Sequence, residues 1–137
     1  MSQPLLSIGM IVKNEERCLE KCLKALEPLR QTIPCELVIG DTGSTDNTKE
    51  IAKKYADVLF DFIWTDDFSA ARNAVMDKCI GKWYLSIDAD EYLNSSVDEL
   101  CHFLKSTSSD SKDFATITLR NHNDSSMNGT FTVINVP

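Results

Sequence analysis

The stretch Leu5 to Val12 (LLSIGMIV) constrains the fold more than any other part of the chain. It is apolar without alternation, so an extended segment here has no face to offer water. Such strands belong to parallel sheets covered by helices on both sides. The rest of the sequence supplies the partners. Lys13-Asn14-Glu15-Glu16 breaks the strand and opens a helix whose stripe is Leu19, Cys22, Leu23 and Leu26, with Pro28 and Pro34 bracketing its end. Cys35 to Ile39 reads as a second strand. The glycine-bearing turn Gly40 to Asp46 then offers Ser44, Thr45 and Asp46 as caps for a helix burying Ile51, Ala52 and Tyr55. Val58 to Ile63 is a third strand. Asp66-Asp67 starts a helix with Phe68, Ala71, Val75, Met76 and Cys79 on its apolar side, and Gly81 stops it.

Trp83 to Ile87 is the fourth strand and runs directly into Asp88-Ala89-Asp90-Glu91. Ser96-Val97-Asp98-Glu99 is a capping box for a further helix. Phe114 to Leu119 and Thr130 to Val136 alternate apolar and polar residues and read as a β-hairpin with a long loop. The expected architecture is α/β: a mostly parallel, Rossmann-like sheet with helices on both faces and a C-terminal hairpin. With 137 residues, one domain over residues 1–137 is expected. The chain closes on a fresh strand, so we expect the native sequence to continue.

Ligands of open parallel sheets bind beyond the carboxyl ends of the strands. Lys13-Asn14-Glu15, Asp41-Thr42-Gly43 and Asp88-Ala89-Asp90 all fall there, so three polar clusters distant in sequence converge on one rim. In an extended strand end, Asp88 and Asp90 point one way and Ala89 the other. Carboxylates this close repel one another, and a divalent cation with hard oxygen ligands offsets that repulsion; a solvated acidic turn is the simpler alternative. Asp41 can accept from a base N–H or a sugar hydroxyl, although Gly43-Ser44-Thr45 on its own is a turn and cap. Arg72 sits at the margin of an apolar helix face, either stretched over its own helix or aimed at the rim as a cation for a base or diphosphate.

The net charge of −7 argues against a nucleic-acid groove. No GxGxxG follows the first strand and no GxxxxGK[ST] occurs, which speaks against dinucleotide and P-loop sites. His102 and His122 have no ligand spacing, no Ser-His-Asp arrangement is suggested, and Cys18 with Cys22 reads as core. No apolar run is long enough to cross a bilayer, and the N-terminus lacks a basic n-region, so a cytoplasmic protein is expected.

Four segments together, Ser7 to Glu15, Val38 to Thr48, Ala71-Arg72-Asn73 and Gly81 to Glu91, resemble the family 2 glycosyltransferases, in the family's order from about Leu5 to Leu93. The resemblance implies a GT-A fold and inverting transfer of a sugar from a nucleotide diphosphate, with a UDP-sugar the expected donor and the acceptor unknown. It implies that Val12, Lys13, Asn14 and Glu15 line the base pocket, that Asp41 bonds the base, and that Arg72 lies near base and diphosphate. Asp88 and Asp90 match the DxD motif: the first acid faces the ribose, the last binds Mn2+ or Mg2+, and Glu91 supports them. Thr42 replaces the second acid of the common Asp-Asp-Gly-Ser pattern. The family's general base lies well beyond the DxD. None is assigned in this chain, and Asp124 is a poor candidate by position. The runner-up reading is an isolated nucleotide-sugar-binding module without turnover. A nucleotidyltransferase would need a phosphate loop after the first strand. A haloacid-dehalogenase-type phosphatase would need its Asp-x-Asp on an early strand.

Overall fold

The computed structural model describes residues 3–93, 114–121 and 128–135. Four parallel strands form the first half: β1 (Leu6–Val12), β2 (Cys35–Asp41), β3 (Val58–Asp61) and β4 (Trp83–Ser86). Three more strands, β5 (Glu91–Leu93), β6 (Phe114–Asn121) and β7 (Asn128–Asn135), extend the sheet antiparallel. The order is β3-β2-β1-β4-β7-β6-β5. The hairpin is thus strands β6 and β7, and β7 docks on β4. The expected helix after Ser96 and the histidines lie outside the described residues.

The strand registers bring the rim together. Val12 pairs with Asp41 across β1 and β2, and Gly9 with Ser86 across β1 and β4. The chain steps outward from β1 to β2 to β3, then returns to the other side of β1 as β4. That reversal opens a crevice between the carboxyl ends of β1 and β4, where such sheets take their ligands.

Burial follows strand alternation. Leu6, Ile8, Met10 and Val12 enter one core with Leu19, Cys22, Leu23 and Leu26 of helix α1 (Leu19–Ala25) and its C-cap, together with Leu37 and Ile39 of β2. On the opposite face Gly40 makes room for β3 and for helix α4 (Phe68–Asp77): a Cβ there would lie 2.9 Å from Phe60 Cζ and 3.1 Å from Val75 Cγ2. Three details depart from the sequence expectation. Helix α1 begins only at Leu19: Asn14 adopts a left-handed φ of 51°, and residues 16–18 form a turn closed by the Leu19 N–H donating to the Glu15 carbonyl at 2.9 Å. Pro28 does not end a helix; it sits in the first turn of a second one, α2 (Glu27–Thr32), where its missing N–H costs nothing. The third strand stops at Asp61, leaving Ile63 85% exposed.

At the far end of the sheet a buried brace ties β1, β2 and the loop before β4. The Ser7 hydroxyl donates to Glu36 Oε2, which also accepts from the Ile80 N–H at 2.6 Å, while the Gly81 N–H donates to Ser7 Oγ at 2.7 Å. A Cβ on Gly81 would lie 2.5 Å from Ser7 Oγ and 2.7 Å from the Ser7 backbone N. Gly81→Ala is therefore expected to lose about 1–3 kcal/mol of stability, read as a lower urea midpoint at unchanged slope. An unaltered midpoint would contradict the brace. Among the described residues no helix is long and apolar enough to cross a membrane.

Candidate active site

Two loops at the rim are stitched together before any ligand arrives. The Asn14 N–H donates to Ser44 Oγ at 2.9 Å, and Asn14 Oδ1 accepts from the Thr45 N–H at 2.8 Å. The Glu15 N–H donates to Thr48 Oγ1 at 2.8 Å, and the Asn47 N–H to Glu16 Oε2 at 3.1 Å. Helix α3 (Thr48–Tyr55) starts here, with Asp46 Oδ1 accepting from the Thr48 N–H at 2.9 Å. These bonds hold the β1–α1 loop against the β2–α3 loop and satisfy N–H groups that would otherwise be orphaned at a turn.

Asp41 anchors the second loop. Its Oδ1 accepts from the backbone N–H groups of Gly43 and Ser44 at 2.9 and 2.8 Å. Its Oδ2 is buried and has no hydrogen-bond partner among the described residues, and the residue is 1% exposed. A buried carboxylate oxygen with nothing to accept from is costly, and such an atom calls for explanation.

Between the ends of β1 and β4 lies a cleft of about 420 Å3, lined by Ile11, Val12, Lys13, Glu15, Thr42, Trp64, Phe68, Arg72, Asp88, Ala89 and Asp90. Of the residues singled out from sequence, Val12, Lys13, Glu15, Arg72, Asp88 and Asp90 stand on its wall. Asn14 and Asp41 do not; Asn14 serves the loop clasp, and Thr42 presents the surface beside Asp41. Strand β4 ends at Ser86, short of the expected Ile87, and Ala89-Asp90 form a turn, in which Ala89 is 3% exposed while Asp88 before it is exposed. Sequence reasoning missed Trp64 and Phe68. Phe68, placed on the core face of its helix by periodicity, is 63% exposed and meets Trp64 edge-on, with ring centroids 4.8 Å apart at 73°.

The cleft combines carboxylates from Glu15, Asp88 and Asp90 with cations from Lys13 and Arg72. Cys18 lies beneath it: its thiol contacts Glu15 Oε2 at 3.3 Å, and burial, reinforced by the charges of Glu15 and Asp90, pushes it up to about 12. Among the described residues no group of three or more His, Cys, Asp or Glu side chains is placed to hold a metal. The donor set nonetheless suits a hard cation shared with a ligand. Mg2+ in particular is commonly held by one or two carboxylates and completed by substrate phosphates, not by an all-protein cage.

A family model described as Glycosyl transferase family 2 matches residues 7–132. Among curated relatives, a TPR repeat-containing protein of Synechococcus elongatus is 41% identical over 87 residues, covering 64% of this chain and 21% of its own length. The lipopolysaccharide core biosynthesis glycosyltransferase LpsC of Rhizobium meliloti is 33% identical over 99 residues, covering 69% of this chain and 35% of its own length. The chain thus spans well under half of these relatives. S. aureus TarS 1-349 in complex with UDP superposes with a TM-score of 0.62 at 24% identity, over 73% of this chain and 32% of that one. The mannosyltransferase PcManGT of Pyrobaculum calidifontis, in complex with GDP-Man and Mn2+, also gives 0.62, at 21% identity over 77% of this chain and 32% of that one. At these identities the structural likeness establishes the fold.

Proposed function

The chain belongs to glycosyl transferase family 2, and on that premise we propose that it is the donor-binding part of an inverting, metal-assisted glycosyltransferase that takes a nucleoside-diphosphate sugar, with a UDP-sugar the first candidate. The observation that carries this reading is the cleft itself: two DxD carboxylates, a guanidinium and an ammonium share one 420 Å3 space at the point where the strand order reverses. A volume of that order suits a single small ligand. The complexes of TarS with UDP and of PcManGT with GDP-Man and Mn2+ support it by analogy.

The chain's own residues divide the work. Lys13 and Arg72 offset the negative charge of a diphosphate, which an acidic protein of net charge −7 would otherwise repel. Asp41 Oδ2 lies behind the cleft wall beside Thr42 and has no hydrogen-bond partner among the described residues; we assign it as the acceptor for a base N–H that reaches past that wall. The Asn14–Ser44–Thr45 clasp fixes the two loops so that ordering cost falls on folding and not on binding. Asp88 and Asp90 would hold Mn2+ or Mg2+, which supplies stabilisation of the leaving diphosphate. No described residue is assigned as the base that activates the acceptor. With the chain spanning 21% and 35% of two relatives, donor binding without turnover is the second reading.

Thermal melts against UDP, GDP and ADP, each with and without Mn2+, test this reading. A nucleotide that binds only the folded chain raises the melting temperature, by the equivalent of about 2.7 kcal/mol at a hundredfold excess over Kd. No shift with any nucleotide would sink it.

A further inference from the structure

A large aromatic ring left in water is the least expected feature of this molecule. Phe68 opens helix α4 and is 63% exposed, yet it is not isolated. Its neighbour Trp64 is held in place from behind: the indole N–H donates to Asp66 Oδ1 at 2.9 Å. Asp67 caps the helix, its Oδ1 accepting from the Ala70 N–H at 3.2 Å, which fixes where Phe68 emerges. Both rings line the cleft that holds Arg72, Asp88 and Asp90. Residues four apart on a helix share a face, so Phe68 and Arg72 are presented side by side. The same helix face therefore offers a flat π surface and, one turn on, a guanidinium.

We propose that Phe68 is the stacking wall for the nucleobase of the bound nucleoside diphosphate, with Trp64 set against it at 73° as the edge that bounds the base, an inference that rests on the donor-binding reading above. The juxtaposition selects the ligand. A ring surface next to a cation matches a molecule with an aromatic face joined to phosphates. A sugar would pack on such a ring through its C–H groups but would leave the neighbouring Arg72 without an anion, whereas a nucleotide uses both the ring and the cation. Stacking accepts any base because every base has a π face. The wall therefore contributes affinity, while choice among bases falls to hydrogen-bonding groups such as Asp41.

Titration calorimetry of the 137-residue chain with UDP and with inorganic pyrophosphate, both in Mn2+, separates the base from the phosphates. Phe68→Ala is expected to weaken UDP binding about tenfold and to leave pyrophosphate binding unchanged, with Phe68→Tyr restoring UDP affinity. Since Phe68 is exposed, its truncation leaves the core intact; a matching melting temperature checks this. A second readout uses the two tryptophans. Trp83 is 0% exposed, so acrylamide quenching reports Trp64, and UDP should shield it while pyrophosphate should not. Phe68→Ala binding UDP as the wild type does, or losing pyrophosphate in equal proportion, would overturn the wall alone. A wild-type chain that binds neither UDP, GDP nor ADP would overturn the donor reading and the wall with it.

Discussion

Asp90→Asn is expected to remove most of the gain that Mn2+ gives to UDP binding, with the metal-dependent affinity falling at least about tenfold, since even the partners behind a metal's ligands are worth that much. The sign of the metal-free arm makes the result diagnostic. The substitution takes one negative charge out of a cleft that must accept an anion, so without metal the variant should bind UDP as well as the wild type or better. The two curves should cross. A residue that merely shapes the turn would weaken both arms together. Asp88→Asn should follow the same pattern, because Asp88 lines the same cleft and is exposed toward it. Parallel curves with and without Mn2+ would contradict a metal role for these acids.

Asp41→Asn is expected to cost UDP affinity in both arms. The unpartnered Oδ2 becomes an NH2 group or is exchanged with one, so a base N–H that sought an acceptor meets a donor. Hydrogen bonds to charged groups contribute about 1.5–3 kcal/mol, or roughly ten- to hundredfold in Kd. Stability separates binding from folding. Asparagine keeps a carbonyl oxygen for the Gly43 and Ser44 N–H groups, so the variant should melt near the wild-type temperature. Asp41→Ala removes that oxygen as well and should lower stability by about 1–3 kcal/mol. Equal UDP affinity of Asp41→Asn and wild type would exclude Asp41 from base recognition.

The parallel half of the fold was legible because its signals are local. LLSIGMIV is buried on both faces as read, and the stripe Leu19, Cys22, Leu23 and Leu26 is core. The convergence of Lys13, Glu15, Asp88 and Asp90 on one rim followed from placing each at a strand end. What escaped the sequence depends on distant partners. Asn14 stands at a strand end beside Lys13 and Glu15, but its bonds run to Ser44 and Thr45, some thirty residues away. The short strand β5 exists only as a ladder on β6. Phe68 shares the helical period of Ala71 and Val75, and periodicity cannot tell a core residue from one at a helix start that overhangs a cleft. A signal was available in the flanking residues: Trp64 and Phe68, four apart around the acidic pair Asp66-Asp67, stand at the mouth of the helix that carries Arg72.

Titration calorimetry of the wild-type chain with UDP, in Mn2+ and in EDTA, decides whether a cation held at Asp88 and Asp90 carries a nucleoside diphosphate into the cleft. Saturable binding that Mn2+ tightens is the expected result. Equal heats in the two arms, or no heat in either, would contradict it.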